Sequence, residues 1–264
     1  MQLELYKNKT WMHEINPSFK LLGMVLLFIG ILFIHNINVM LNLTGILLVV
    51  YLLMTGQTYK LKLLLLIPFI FLFFTSAISM VMFGKGDTAW LEFGLIKVSE
   101  ESFYRGIHLG LRSLAFAFSG LIFALTTQPV YLFYSLMQQW KLPPKFAYSF
   151  MAGIRLLPLI LEEFLTLRKA LIVRGVEQKG SLLKKVYFYS IPLLSQSIRR
   201  AHRIAVAMEA KRFSNQKNRT YYYELGYSRM DLWFVFLIFL MIALSLYLGI
   251  RLPYVPVTDV RYTG

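Results

Sequence analysis

Four histidines and no cysteine set the chemical limits of this 264-residue chain. His13, His35, His108 and His202 fall in four separate segments with no pair at metal-ligand spacing, so each reads as a polar or interfacial residue and no metal site is expected. The absence of cysteine excludes disulfides, thiolate metal sites and thiol nucleophiles together. No glycine-rich phosphate loop ending in Gly-Lys-Ser/Thr is present, and Gly84-Lys85-Gly86-Asp87 reads as a turn, so the chain is not expected to hydrolyse nucleotide itself.

What remains is cationic. Between Leu167 and Arg219 stand thirteen Lys and Arg residues against Glu177 and Glu209, a local net of +11 in a chain whose total is +15. Two tripeptides in this stretch, Val173-Arg174-Gly175 and Ala210-Lys211-Arg212, fall at the expected ends of two long helices. A cation at a helix C-terminus is favoured by the macrodipole by about 0.3–1 kcal/mol, which accounts for each taken singly. As a pair they resemble matched plugs, because a guanidinium with five donors in a fixed fork suits a groove lined with carboxylates and carbonyls. Two further arginines lie in apolar surroundings. Arg112 sits inside a hydrophobic run, where it either marks a functional position or reaches toward the outer interface. Arg155 sits on the apolar half of a long helix, with Glu162 the nearest carboxylate for a structural pair.

The elements that hold these residues are hydrophobic helices. The chain is 57% hydrophobic and 16% charged, against an apolar share of about 45–50% in soluble domains, and so reads as an all-α polytopic membrane protein. Apolar runs occur at Leu21–Ile34, Val39–Leu53, Leu63–Phe83, Gly106–Leu125 and Leu232–Ile250. A crossing needs about 17–25 residues, so the first two fit once Phe19, Lys20, Asn36 and Asn42 are included, giving five spans. No cleavable signal pattern precedes the first run, which is expected to stay as an anchor. The 84–105 connection carries Lys85, Lys97 and Arg105 against Asp87, Glu92, Glu100 and Glu101, whereas the 167–219 stretch is strongly basic. The positive-inside rule then places the amino terminus and the basic stretch in the cytoplasm, and the 84–105 loop and carboxyl tail outside. Basic residues between spans also make nucleic acid an unneeded explanation for the charge.

From Gln128 the pattern changes. A helix opens at Pro129 and stops at Leu142-Pro143-Pro144; a second runs from Pro144 to Val173, bent near Pro158; a third spans about Leu182 to Arg212, with Pro192 as a bend. On the third, Ile198, Ala201, Ile204, Ala205 and Met208 share one arc, with Arg199 and Arg203 opposite. The expected division is 1–127 as four transmembrane helices, 128–230 as cytoplasmic helices and 231–264 as a last span and tail.

These residues resemble the transmembrane T component of energy-coupling factor transporters, the EcfT/CbiQ type of vitamin and metal-ion importer subunit. Its Leu-His-x-x-x-Pro-x-x-Lys pattern is met by Met12-His13 through Pro17 and Lys20, with Met12 at the leucine position, and its Thr-Thr-x-Pro by Thr126-Thr127-Gln128-Pro129. Leu142-Pro143, Arg155-Leu156-Leu157-Pro158 and Ala170 through Arg174-Gly175 match further motifs. The resemblance implies a non-catalytic coupling subunit of a bacterial or archaeal cell membrane, with ATP and Mg bound by two partner ATPases, which form a homo- or heterodimer, and with no cofactor in this chain. It implies that Val173, Arg174, Gly175, Ala210, Lys211 and Arg212 dock on those ATPases. Either Lys211 or Arg212 stands for the family's second arginine. Ile198, Ala201, Ala205 and Met208 are then candidates for contact with a membrane-embedded substrate-binding S component. Two other readings compete. A conventional ABC permease subunit would carry Glu-Ala-Ala-x-x-x-Gly, but Lys211 and Asn215 interrupt that pattern after Glu209-Ala210. A basic scaffold on anionic lipid would use the same helices without an ATPase.

Overall fold

The computed structural model describes residues 9–84, 89–93, 96–175, 182–213 and 221–256. Lys85, Gly86 and Asp87 of the turn, and Glu177, Lys179, Asn215, Lys217 and Arg219 of the basic stretch, lie outside the described residues.

The helices are α1 (Trp11–Glu14), α2 (Pro17–Phe33), α3 (Ile37–Met54), α4 (Tyr59–Phe83), α5 (Glu100–Thr126), α6 (Pro129–Gln139), α7 (Pro144–Val173), α8 (Leu182–Ala210) and α9 (Arg229–Arg251). Side chains cap the starts of α2, α3, α5 and α9. Asn16 caps α2 by accepting the Ser18 N–H, with Pro17 at the first helical position, and Asn36 caps α3 by accepting the Asn38 N–H at 2.9 Å. Four helices, α3, α4, α5 and α9, are long and apolar enough to cross a membrane. The 17 residues of α2 reach about 25 Å and supply the fifth span. The chain is a multi-pass membrane protein.

One expectation changes at the 84–105 connection. Instead of an irregular loop, β1 (Ala89–Phe93) and β2 (Ile96–Ser99) pair antiparallel, and α5 begins at Glu100 rather than Gly106. The cause is Ser99: its hydroxyl accepts the Ser102 N–H at 3.1 Å while the Ser102 hydroxyl receives the Ser99 N–H at 3.0 Å. This reciprocal cap extends the helix past the apolar run. The hairpin is the one departure from an all-α fold among the described residues.

The chain divides into two compact units, residues 1–135 with 225–264, and residues 136–224. In the first, α3 is the central helix: Met40, Leu43, Leu47 and Tyr51 are fully buried, packed with Ile31 of α2, Ala115 and Phe118 of α5, and Ile238 of α9. Two glycines let helices touch backbone to backbone. A Cβ on Gly106 would lie 2.8 Å from Ala77 O of α4, and one on Gly249 would lie 2.8 Å from Val39 N of α3. By contrast, α4 leaves Leu63, Leu64, Ile67, Phe71, Phe74 and Ile78 exposed, the apolar face a bilayer solvates. In the second unit α7 and α8 lie against each other, joined by the Arg200–Glu163 ion pair and by the rings of Phe164 and Tyr189, 5.2 Å apart.

Candidate functional site

The two long helices end with the same backbone device. On α7, Arg174 is the terminal αR residue, with its N–H on Ala170 O, and Gly175 follows at φ 68° with its N–H on Ile172 O. On α8, the Lys211 N–H bonds Ala207 O, the Arg212 N–H bonds Glu209 O, and the Phe213 N–H bonds Met208 O at 2.9 Å. The last two bonds form a Schellman motif with Arg212 in the left-handed position, at φ 54°. Superposed by cap position, Val173 corresponds to Ala210, Arg174 to Lys211 and Gly175 to Arg212. Thus Lys211 occupies the place of Arg174, and Arg212 takes a backbone site that glycine adopts without strain. All six residues of the two tripeptides are exposed. The side chain of Phe213, just beyond the second end, stacks edge-on to Tyr148 of α7 at 5.4 Å.

The exposed apolar side of α8 extends further than the wheel drawn from Ile198. Tyr187, Ile191, Leu194, Ile198, Ala201 and Ala205 are all exposed and follow alternating four- and three-residue steps, the spacing of a helix-packing seam. Ile204 and Met208, placed on the same arc by sequence, are half-buried, nearer the side that carries Arg200. The charge of Arg200 goes to Glu163, and among the described residues the Arg155–Glu162 pair expected from spacing does not form. Arg155 is exposed.

Arg112 has a local structural partner. Its Nη2 donates to Ile34 O at 2.9 Å, the carbonyl at the C-cap of α2. Two lysines behave in the same way: Lys20 Nζ donates to Thr126 O, at the last residue of α5, at 2.9 Å, and Lys62 Nζ donates to Leu52 O in the last turn of α3. Each cation meets orphan carbonyls at the negative end of a helix dipole.

The four histidines stand on α1, in the α2–α3 link, on α5 and on α8. His13 Nδ1 accepts the Thr10 N–H at 3.2 Å, while the Thr10 hydroxyl donates to Met54 O at 2.6 Å. Burial first, and then the nearby charge of Lys20, hold the His13 imidazole below its ordinary pKa of 6.5.

A cluster missed by sequence reasoning surrounds Asn16. Its backbone N–H donates to Asp231 Oδ1 at 2.8 Å, its Nδ2 donates to Gly226 O at 3.3 Å, and its Oδ1 accepts the Ser135 hydroxyl. The Ser18 N–H donates to the same Ser135 hydroxyl at 3.1 Å, and Asp231 Oδ2 accepts the Ser228 N–H at 2.8 Å. Asn16, Ser18, Ser135 and Asp231 are all buried. Pro17 and Lys20 of the amino-terminal motif flagged the neighbourhood, but nothing in the sequence pointed to Ser135 or Asp231.

Comparison with known proteins gives one consistent family. The model of the CbiQ family, described as cobalt transport protein, matches residues 8–222. The chain is 28% identical over 227 residues to a protein of Listeria innocua named energy-coupling factor transporter transmembrane protein EcfT, covering 80% of this chain and 83% of that one. Proteins of the same name from Macrococcus caseolyticus, 25% identical with 84% and 88% covered, and from Bacillus subtilis, 26% identical with 83% and 86% covered, are similar over comparable lengths.

Proposed function

Since this chain belongs to the CbiQ family of cobalt transport proteins and is the transmembrane T component of an energy-coupling factor transporter, we propose that α7 and α8 each dock one ATPase subunit through the cations at their ends. The observation that carries this reading is the matched end geometry: Arg174 and Lys211 hold the same cap position and both are exposed. Arg174 offers a planar fork to carboxylates and carbonyls, and Lys211 offers a compact point charge. Arg212, one residue on, supplies the second guanidinium. The two helix ends therefore carry similar charge with different hydrogen-bonding reach.

ATP and Mg belong to the ATPases, which form a homo- or heterodimer; this chain binds no cofactor and makes or breaks no bond. It carries the ATPases' movement through α7 and α8 to a separate membrane-embedded S component that binds a vitamin or transition-metal ion. The exposed seam through Ile198, Ala201 and Ala205, with Met208 at its margin, is the surface offered to that component. In the cell membrane of a bacterium or archaeon, the amino terminus and the 136–224 unit face the cytoplasm and the carboxyl end faces outward.

Copurification of the ATPases with an Arg174→Ala variant tests the docking. Loss of a central arginine costs about 2 kcal/mol at an interface, roughly thirtyfold in Kd, so the ATPases should be lost on washing and uptake should stop while the variant still inserts. Full ATPase recovery and full uptake by this variant would overturn the docking role.

A further inference from the structure

The two points at which the chain passes between its units lie at Ser135–Leu136 and Glu224–Leu225. On the membrane-unit side, one side chain grips both. The Asn16 carboxamide oxygen accepts the Ser135 hydroxyl, at the outgoing point, and its nitrogen donates to Gly226 O, at the returning point. Neighbours reinforce each grip. The Ser18 N–H donates to Ser135 Oγ at 3.1 Å, and the rings of Phe19 and Tyr227 meet edge-on at 5.8 Å. The clamp is fixed in turn to two membrane helices: the Asn16 N–H donates to Asp231 Oδ1 in the first turn of α9, and Lys20 Nζ donates to Thr126 O at the end of α5. Asn16, Ser18, Lys20, Ser135 and Asp231 are each at most 6% exposed. Polar groups packed this way hold one geometry, because separating any pair leaves a buried donor or acceptor unsatisfied.

From this we infer that the segment Asn16–Lys20 is a positioning clamp: it holds the outgoing and returning chain together on the ends of α5 and α9, so that force from residues 136–224 reaches the membrane helices without slack. The inference rests on the coupling function proposed above. It requires the clamp to stay closed throughout the transport cycle.

The test uses the full transporter, with its ATPases and S component, reconstituted in liposomes with radiolabelled cobalt(II) and radiolabelled B vitamins as uptake probes. Asn16→Ala releases both grips, and the expected result is intact assembly and ATP hydrolysis with uptake per ATP lower by about tenfold. The chain contains no cysteine, so Ser18→Cys with Ser135→Cys introduces a single possible disulfide between hydroxyl positions already in contact. Added to Asn16→Ala, the oxidised pair rejoins the outgoing point alone and should recover part of the coupling, while the reduced pair should not, a redox response that a general loss of folding does not give. If Asn16→Ala fails to fold, the cysteine pair in the otherwise native chain decides: uptake per ATP within about twofold of native when oxidised supports the clamp. Native coupling in a folded Asn16→Ala variant, or uptake abolished by oxidation of the pair, would overturn it. Failure of the coupling function itself is distinct: then the native chain recovers no ATPase and shows no ATP-driven uptake.

Discussion

A lysine or arginine among membrane helices is costly, and Lys20, Lys62 and Arg112 meet that cost where a helix has run out of internal hydrogen bonds. Each long side chain reaches a carbonyl at the C-terminus of a neighbouring helix, joining α2 to α5, α4 to α3 and α5 to α2 by a charge-assisted bond. Arg112→Met should therefore destabilise the bundle by about 1–3 kcal/mol, read as a lower thermal unfolding midpoint in detergent, with Arg112→Lys recovering part of the loss. Uptake per ATP by the surviving folded protein should be native; a native midpoint with abolished uptake would assign Arg112 to the transport step instead. The sequence shows Arg112 to be unusual but not why, because Ile34 lies 78 residues away and no local pattern links them. The same holds for Ser135 and Asp231, whose partner Asn16 is 119 and 215 residues distant.

The long helices were legible as elements because their ends are written locally. The helix expected over Pro144–Val173 runs over those residues, bounded by a proline that opens it and a glycine at positive φ that closes it. The second end is written differently. Arg212 takes the left-handed position, where a non-glycine residue costs roughly 1–2 kcal/mol. Arg212→Gly should relieve that strain and strengthen the end of α8, raising amide-exchange protection around Glu209 and Arg212, while removing one guanidinium from the proposed docking surface. Protection should rise and ATPase affinity fall in the same variant; a gain in both would show that Arg212 contributes nothing to docking. The hairpin before α5 was not legible, because four acidic residues between Asp87 and Glu101 read as loop and the Ser99–Ser102 cap lies among them. On α8 the apolar arc was visible, but its division into an exposed seam and a half-buried side depends on the packing of α7 against α8 and on Arg200 finding Glu163.

At the scale of the whole molecule, the proposed orientation rests on five apolar helices and on the distribution of basic residues between them. In the cysteine-free chain, single replacements are clean reporters. Ser195→Cys on α8 should react with a membrane-impermeant maleimide only after the cells are opened, and His35→Cys between α2 and α3 should react in intact cells. The reverse pattern would invert the protein and with it the placement of the ATPases.

The pairing of outgoing and returning chain on one asparagine also describes how such a molecule could be built. Topologically, residues 136–224 lie between one point within α6 and another in the link before α9, and Asn16 ties the membrane-unit sides of both. Such a segment can lengthen, shorten or be exchanged for another without rethreading the spans. A change of length between those two points leaves the threading of the spans intact, provided the asparagine that ties them is kept.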